Sequence, residues 1–221
     1  MSTIDILLHY RHAFLAGLFV TIKLCAIIWS LGLAIGITLG ALAARYAVTV
    51  GRTHHSLSFL LSGVPILVFL FWAHYPLQEL FAVVVDPFLT AAVVLTLINV
   101  FAVSDATRSV LADIPAQYVM AAKACGLSSV TTWLHIKLPL TVRQLIPVLL
   151  PIQIGMLHAT LFASLISVEE IFRVAQRINS QIYRPIQIYT ALALFFLGVS
   201  LPINALALWL RARFTRVISE G

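Results

Sequence analysis

Long apolar runs separated by short polar segments dominate the pattern along this chain. Leu24 to Ala44 and Ser56 to Tyr75 carry no formal charge, and three further runs of this kind follow. About 20 apolar residues in a helix cross the hydrocarbon core of a bilayer. The pattern predicts an all-α polytopic membrane protein with a single transmembrane domain over residues 1–221. Its five spans have the approximate bounds 13–44, 56–76, 87–108, 144–168 and 185–210.

Glycine and proline positions predict how these spans pack and bend. Gly32, Gly36 and Gly40 recur at every fourth residue, which clears one face of the first span for a neighbouring helix. Pro65 interrupts the second span and predicts a kink, which membranes tolerate where a neighbour or a cavity satisfies the freed carbonyl group. Gly63 and Pro65 therefore either border a solute path or shape helix packing.

The segment 114–143 lies between the third and fourth apolar runs and has a helical pattern of its own. The predicted face of its first short helix comprises Tyr118, Ala121, Ala122 and Cys125. Gly126 predicts the turn that ends this helix, Ser128 or Ser129 predicts the cap of a second one, and Pro139 predicts its end. A structured helix-turn-helix loop without a catalytic constellation indicates a docking surface.

Composition leads to the same class of protein. Of the 221 residues, 61% are hydrophobic and 10% are charged, so lipid must be the solvent for most of the apolar surface. The net charge is +6, but the sequence has no Lys/Arg run and no basic patch interleaved with aromatic residues. We therefore interpret the basic residues as membrane-topology signals and expect no nucleic-acid partner. Cys25 lies in a span and Cys125 in the 114–143 segment, so no structural disulfide is expected.

Candidate chemistry is confined to polar groups at membrane depth. The sequence contains no nucleophile-base pair, metal-ligand spacing or phosphate-binding glycine loop, so we expect no enzymatic activity, no metal and no cofactor in this chain. On an ideal α-helix, Gln153, Thr160, Ser164 and Ser167 share one face of the fourth span. Such a stripe either binds a solute or holds a partner helix. His158 faces away from it, as a packing residue or a pH-sensitive solute contact.

The stretch from Ile171 to Arg184 has an apolar stripe opposite a polar one, which predicts a helix lying along the outer membrane surface. Glu169 and Glu170 precede it, where negative charge is favourable at a helix start. One interpretation is that both carboxylates cap the helix and contact solvent. The other is that Glu170 closes or lines the outer end of a solute pathway.

Several motifs together resemble one family. Ala121-Ala122, Gly126 and Leu138-Pro139 resemble the EAA loop of the permease subunits of ABC importers, which inserts into a groove on the ATPase subunit. The run Gly63-Val64-Pro65-Ile66-Leu67-Val68 is similar to the Arg-Gly-Thr-Pro-Leu-Leu-Val stretch of polar amino-acid permeases of the histidine/glutamine type. Two further sets fit the patterns of those permeases and extend the resemblance over most of the chain: Ala102, Asp105 and Arg108, and Thr160, Ser164, Val168 and Glu170.

This resemblance implies a type I ABC importer permease fold that couples ATP hydrolysis on a partner subunit to uptake of a polar amino acid or a derivative. The implied partners are ATPase subunits carrying ATP and Mg²⁺, a second permease subunit, an extracytoplasmic solute-binding protein and membrane lipid. The residues implied in ATPase coupling are Tyr118, Ala121, Ala122, Gly126, Leu138 and Pro139, and those in the substrate path are His158, Thr160, Ser164 and Glu170. The alternatives are an ABC permease for an unrelated small solute, an ion-coupled secondary transporter, or a subunit that only anchors a partner. The lack of an internal repeat and of a membrane-embedded carboxylate pair disfavours the secondary transporter.

Orientation in the bacterial inner membrane follows from the basic residues once the 114–143 segment is placed in the cytoplasm. The cytoplasmic side then holds nine Lys and Arg residues against four outside, which predicts an external N-terminus and a cytoplasmic C-terminus. The nine are Arg45, Arg52, Arg108, Lys123, Lys137, Arg143, Arg211, Arg213 and Arg216, and the four are Arg11, Arg173, Arg177 and Arg184.

The chain also departs from the family pattern at polar positions. Met120 stands at the glutamate of the EAA element and Tyr118 at a usual glutamine, while His158 replaces a lysine and Ala159 an aspartate. The loop skeleton is kept although several polar side chains differ. We therefore expect ATPase docking to be retained in a permease that is specialised for its solute or is the less substrate-engaged half of a heterodimer.

Overall fold

The structure, a computed structural model, describes residues 3–219, with side chains through residue 214. All regular elements in that range are helical, which confirms the all-α fold. The ends of the predicted 1–221 domain and the side chain of Arg216 lie outside the described residues. The helices are α1 (Thr3–His9), α2 (Arg11–Arg45), α3 (Val50–Ser62), α4 (Ile66–His74), α5 (Pro76–Leu80), α6 (Pro87–Ala112), α7 (Ala116–Ala124), α8 (Ser129–Thr132), α9 (Leu138–Ala159), α10 (Ile171–Ile182) and α11 (Pro185–Ser219).

Four helical stretches of the described chain are long and apolar enough to cross a membrane, and a fifth span results if a bent pair is counted as one. In that pair, Val50–Ser62 and Ile66–Leu80 meet at 91°. Pro65 has φ −56° and ψ 135°, and α4 starts at the next residue. Since proline lacks an N–H and keeps the residue before it out of the helical region, α3 cannot continue through this point. The kink predicted at Pro65 is thus a sharp break.

The first and third spans, α2 and α6, pack along the three spaced glycines. A Cβ atom added at Gly32 would lie 2.7 Å from Cγ of Asn99, and one added at Gly36 would lie 2.7 Å from Cβ of Val103. An added Cβ at Gly40 would meet the α6 backbone equally closely. Atoms at these separations overlap, so only glycine allows the two helices to approach as they do. The predicted clear face is confirmed, and its neighbour is the third span.

The fourth span begins earlier than the sequence predicted, because α8 continues into α9. A π-helical turn, Trp133–Lys137, joins the two, and the N–H of Leu138 bonds to the carbonyl oxygen of Trp133. The prediction that Pro139 ends this helix is wrong. Pro139 occupies the first turn of α9, and the wider π turn before it accommodates the missing N–H and the proline ring. The second helix of the 114–143 segment is therefore the start of the span.

Helix α10 packs across one end of the bundle. Ile171, Val174, Ala175 and Ile178 are buried in it and join a hydrophobic cluster with side chains from α1, α2, α9 and α11. A Cβ atom added at Gly17 would lie 2.8 Å from Cγ2 of Val174, so α2 and α10 are in close contact. The apolar stripe that predicted a helix on the membrane surface faces the protein interior instead.

Candidate functional site

Helix α7 stands apart from the packed bundle. Neither hydrophobic cluster of the described residues includes an α7 side chain. The predicted small-residue face is divided, since Ala122 is buried and Tyr118 is half-buried, whereas Ala121 and Cys125 are exposed. One flank of α7 therefore faces the rest of the protein and the other is accessible to a partner.

The turn after α7 has a defined geometry. Gly126 has φ +74°, and the N–H groups of Gly126 and Leu127 bond to the carbonyl oxygens of Lys123 and Ala122, each at 3.0 Å. This is the Schellman arrangement, in which a left-handed residue ends a helix and satisfies its last carbonyl groups. An added Cβ at Gly126 would meet no atom within 4 Å, so glycine is required here by the backbone angle and not by space. Of the two predicted caps of α8, Ser128 is the one used, accepting a backbone N–H at 3.2 Å.

Large apolar side chains are exposed on α7, in this turn and on the helix that follows it. Val130 is 67% exposed and Met120 is 62% exposed. Several large apolar side chains exposed along one segment indicate a candidate interaction site. The sequence pattern did not indicate this exposed apolar surface. Its members are Met120, Leu127, Val130, Trp133, Leu134 and Leu138, and we call them the apolar row.

Three spans are joined at membrane depth by a pair of amide side chains, Asn99 and Gln153, which we call the amide clamp. Nδ2 of Asn99 donates to Oε1 of Gln153 and to the carbonyl oxygen of Ile28, both at 3.0 Å, and Nε2 of Gln153 donates to Oδ1 of Asn99 at 3.2 Å. Nε1 of Trp29 donates to the carbonyl oxygen of Gln153 at 3.1 Å. Gln153 thus has the partner-helix role that was one of its two predicted roles. Asn99 was missed, although an amide within an apolar run is itself a signal.

The predicted polar stripe of the fourth span does not form, because the α-helix ends at Ala159. A 3-10 segment, Thr160–Ile166, follows it, and a tighter turn with three residues per repeat changes the direction of each later side chain. The hydroxyl groups of Thr160 and Ser164 each donate to the carbonyl oxygen three residues earlier, at 2.7 Å. Ser167 ends the segment with φ 73°. Both candidate path hydroxyls are fully buried and serve their own helix.

His158 is the exposed member of the four candidate path residues. Its Nε2 lies 2.9 Å from Oγ of Ser200, and its ring meets the ring of Phe196 edge-on at 5.8 Å between centroids. These contacts join α9 to α11. The arrangement orients the imidazole while leaving part of it accessible.

Glu170 is fully buried at the start of α10, beyond the fourth span. Its two carboxylate oxygens accept the N–H groups of Phe172 at 2.9 Å and Arg173 at 2.8 Å. Burial raises the pKa of Glu170 to about 7, while these two hydrogen bonds act in the opposite direction. Glu169, by contrast, is exposed and pairs with Arg177 at 2.8 Å. Capping is the role that the geometry gives to Glu170, and it is not brought together with His158.

Comparisons with known proteins place this geometry in context. A family model described as the binding-protein-dependent transport system inner membrane component matches residues 36–216. The glutamine transport system permease protein GlnP of Escherichia coli (strain K12) is 34% identical over 181 residues, which cover 79% of this chain and 82% of that protein. The octopine transport system permease protein OccM of Rhizobium radiobacter is 25% identical over 224 residues, covering 94% and 91%. A crystal structure of an amino acid ABC transporter with histidines contains a chain with the same fold, at a TM-score of 0.84, 20% identity, and coverage of 96% and 99%.

Proposed function

Because the chain belongs to the family of inner membrane components of binding-protein-dependent transport systems, we propose that the solute it carries is a polar amino acid or a close derivative. The protein is the permease subunit of an ABC importer and crosses the inner membrane several times. Relatives named for glutamine and octopine support the solute class, since both compounds are polar amino acids or derivatives of them.

An importer of this kind works with an ATPase and a solute-binding protein. In our proposal ATP and Mg²⁺ bind to the ATPase subunits, and this chain catalyses no reaction. A second permease subunit, identical or homologous, completes the path for the solute. The excess of basic residues at the α7 end of the bundle supports a cytoplasmic position for α7 and the C-terminus, with the N-terminus outside.

The apolar row is the observation that carries the coupling proposal. It lies on a helix that stands apart from the core and on the start of the fourth span, so a subunit gripping it would hold the end of that span directly. In this proposal Tyr118 and Ala121 belong to the α7 part of the contact, and the buried Ala122 holds α7 against the rest of the protein. The left-handed Gly126 fixes the angle between α7 and the span, and Leu138 and Pro139 lie where the displacement enters α9.

For the solute path, we propose that His158 is the residue in contact with the solute, because it is the exposed one and is oriented by Ser200. Thr160 and Ser164 contribute indirectly, by holding the 3-10 segment that follows it. Glu170 holds the start of α10 at the outer end of the path.

Two exposed valines on the same side of the membrane allow a matched test of coupling. Val130, in the apolar row, is 67% exposed, and Val48, in the turn between α2 and α3, is 68% exposed. We expect Val130→Asp to reduce copurification of the ATPase and Val48→Asp to leave it unchanged. Equal copurification for both variants would remove the apolar row from the interface.

The solute itself is tested with the permease and its ATPase in proteoliposomes. Solute-binding proteins loaded with glutamine, histidine or octopine are added, each beside its unloaded form. We expect one loaded protein to stimulate ATP hydrolysis and to deliver its radiolabelled solute into the vesicle. Stimulation by none of them, together with stimulation by a sugar-loaded or peptide-loaded protein, would overturn the solute class while leaving the coupling proposal standing.

A further inference from the structure

A cavity of about 370 Å³ lies between the C-terminal ends of α2 and α6 and the first turns of α3. Small residues make room for it. An added Cβ at Gly51, which is buried, would lie 2.9 Å from the carbonyl oxygen of Ala43, so α3 comes close to α2 because residue 51 is glycine. The basic residues that line the cavity are Arg52, His55 and Arg108, and no acidic residue is among its lining residues.

The charge of Arg108 is not neutralised by a close carboxylate. Its Nη2 is 3.9 Å from Oδ1 of Asp105, at the outer limit of an ion pair. Asp105 accepts a hydrogen bond from the hydroxyl of Ser58 and has Nδ1 of His54 at 3.6 Å, so its oxygens are shared among several groups. Nε of Arg108 is buried and has no hydrogen-bond partner among the described residues. A buried donor of this kind requires an acceptor.

We propose that this cavity binds the phosphate group of an anionic phospholipid. Guanidinium groups match phosphate oxygens with two parallel hydrogen bonds, and Arg52 and Arg108 approach the same space from α3 and α6. The cavity lies where two spans end, and its alanines and Leu111 offer an apolar wall for the glycerol end of a lipid. Basic pockets between membrane helices bind anionic headgroups in this way.

The site is separate from the apolar row and from His158, and binding there is independent of which solute is carried. It depends on the proposed orientation only for the assignment to the cytoplasmic leaflet. A lipid held there would join α2, α3 and α6 at the point where α3 has few other neighbours in the bundle, and would thereby fix the first half of the bent second span.

The test uses the full-length permease and native mass spectrometry, with phosphatidylglycerol titrated against phosphatidylcholine. The variant Arg52→Gln/Arg108→Gln removes both guanidinium groups from the cavity. The control Arg45→Gln/Arg143→Gln removes the same charge from the same end of the bundle, at residues outside the cavity lining. We expect wild type and control to prefer phosphatidylglycerol, and the cavity variant to bind it roughly 30-fold more weakly, about fivefold for each arginine.

Equal loss of phosphatidylglycerol in the cavity variant and the control would reduce the effect to general surface charge and overturn the proposal. Displacement of the lipid by inorganic phosphate at equal concentration would assign the site to free phosphate and overturn the lipid source. If the double variant does not give a monodisperse protein, the single variant Arg52→Gln is used, because Arg52 is exposed. It should show the fivefold loss, and wild-type binding would contradict the proposal.

Discussion

Replacing Gly32 by alanine would place a methyl group in the space of the amide clamp. The added carbon would lie 2.7 Å from Cγ of Asn99, so the Asn99 side chain must move away. That movement breaks its three hydrogen bonds to Gln153 and Ile28. Hydrogen bonds between membrane helices contribute on average about 0.6 kcal/mol each and at most about 1.7. The expected loss of unfolding free energy is therefore about 2 kcal/mol, with an upper bound of about 5.

The assay follows denaturation in sodium dodecyl sulfate from mixed micelles, read by thiol labelling of Cys25. This cysteine is 5% exposed in the folded protein and becomes reactive on unfolding, whereas the exposed Cys125 is first replaced by serine. Gly155→Ala is the matched control, because an added Cβ there meets no atom within 4 Å. It should not lower the free energy of unfolding, and the higher helix propensity of alanine should raise it by at most about 1 kcal/mol.

A double-mutant cycle identifies the cause of the loss. In an Asn99→Ala background the clamp is already absent, and of the three Asn99 atoms nearest to the added carbon only Cβ, at 2.9 Å, remains, so Gly32→Ala should cost less than it does in the wild type. Equal costs in the two backgrounds, or a Gly32→Ala variant as stable as Gly155→Ala, would refute the packing of α2 on α6 described above.

Three further predictions concern the candidate site. Gly126→Ala forces a side chain into the left-handed region at a cost of about 1–2 kcal/mol. We expect faster amide exchange at the end of α7 and uncoupling of ATP hydrolysis from uptake, and wild-type behaviour in both would contradict the turn. The pKa of Glu170 is about 7 in the folded protein and 4.5 ordinarily, so the folded state binds this proton more tightly than the unfolded state does. The free energy of unfolding should therefore fall by up to about 3 kcal/mol as the pH rises from about 4.5 to 7. Glu170→Gln should flatten that slope in a denaturation series, and Glu169→Gln should not. His158→Ala should raise KM for uptake without lowering stability much, whereas His158→Gln, which can still bond to Ser200, should do less; an unchanged KM in both would remove His158 from the path.

Residues that act through local geometry were predictable from the sequence. The four-residue spacing of Gly32 and Gly36 is enough to predict a close helix contact. Gly126 and Ser128 predict the end of one helix and the start of the next, because glycine is preferred after the end of a helix and serine is preferred as an N-cap. The break at Pro65 follows from the chemistry of proline, although its angle does not.

Features that depend on a change of helical period were not predictable. Thr160 and Ser164 were projected on an α-helix, but that helix ends at Ala159, before both residues, so their predicted face was wrong. Pro139 was taken as a stop signal, because a π turn leaves no mark in the pattern of apolar positions. Asn99 was overlooked since its partner, Gln153, lies 54 residues away and on another span.

In the proposed importer, the 114–143 segment contacts the ATPase on the cytoplasmic side. Cys125 offers a native test, because it is exposed in this segment while Cys25, the other cysteine, is buried. A maleimide-benzophenone attached at Cys125 is photoactivated in the assembled transporter, and the products are identified by mass spectrometry. We predict a cross-link to the ATPase subunit that is lost in a Cys125→Ser variant. Labelling of Cys125 from outside intact cells, or a cross-link to the solute-binding protein instead of the ATPase, would contradict the account.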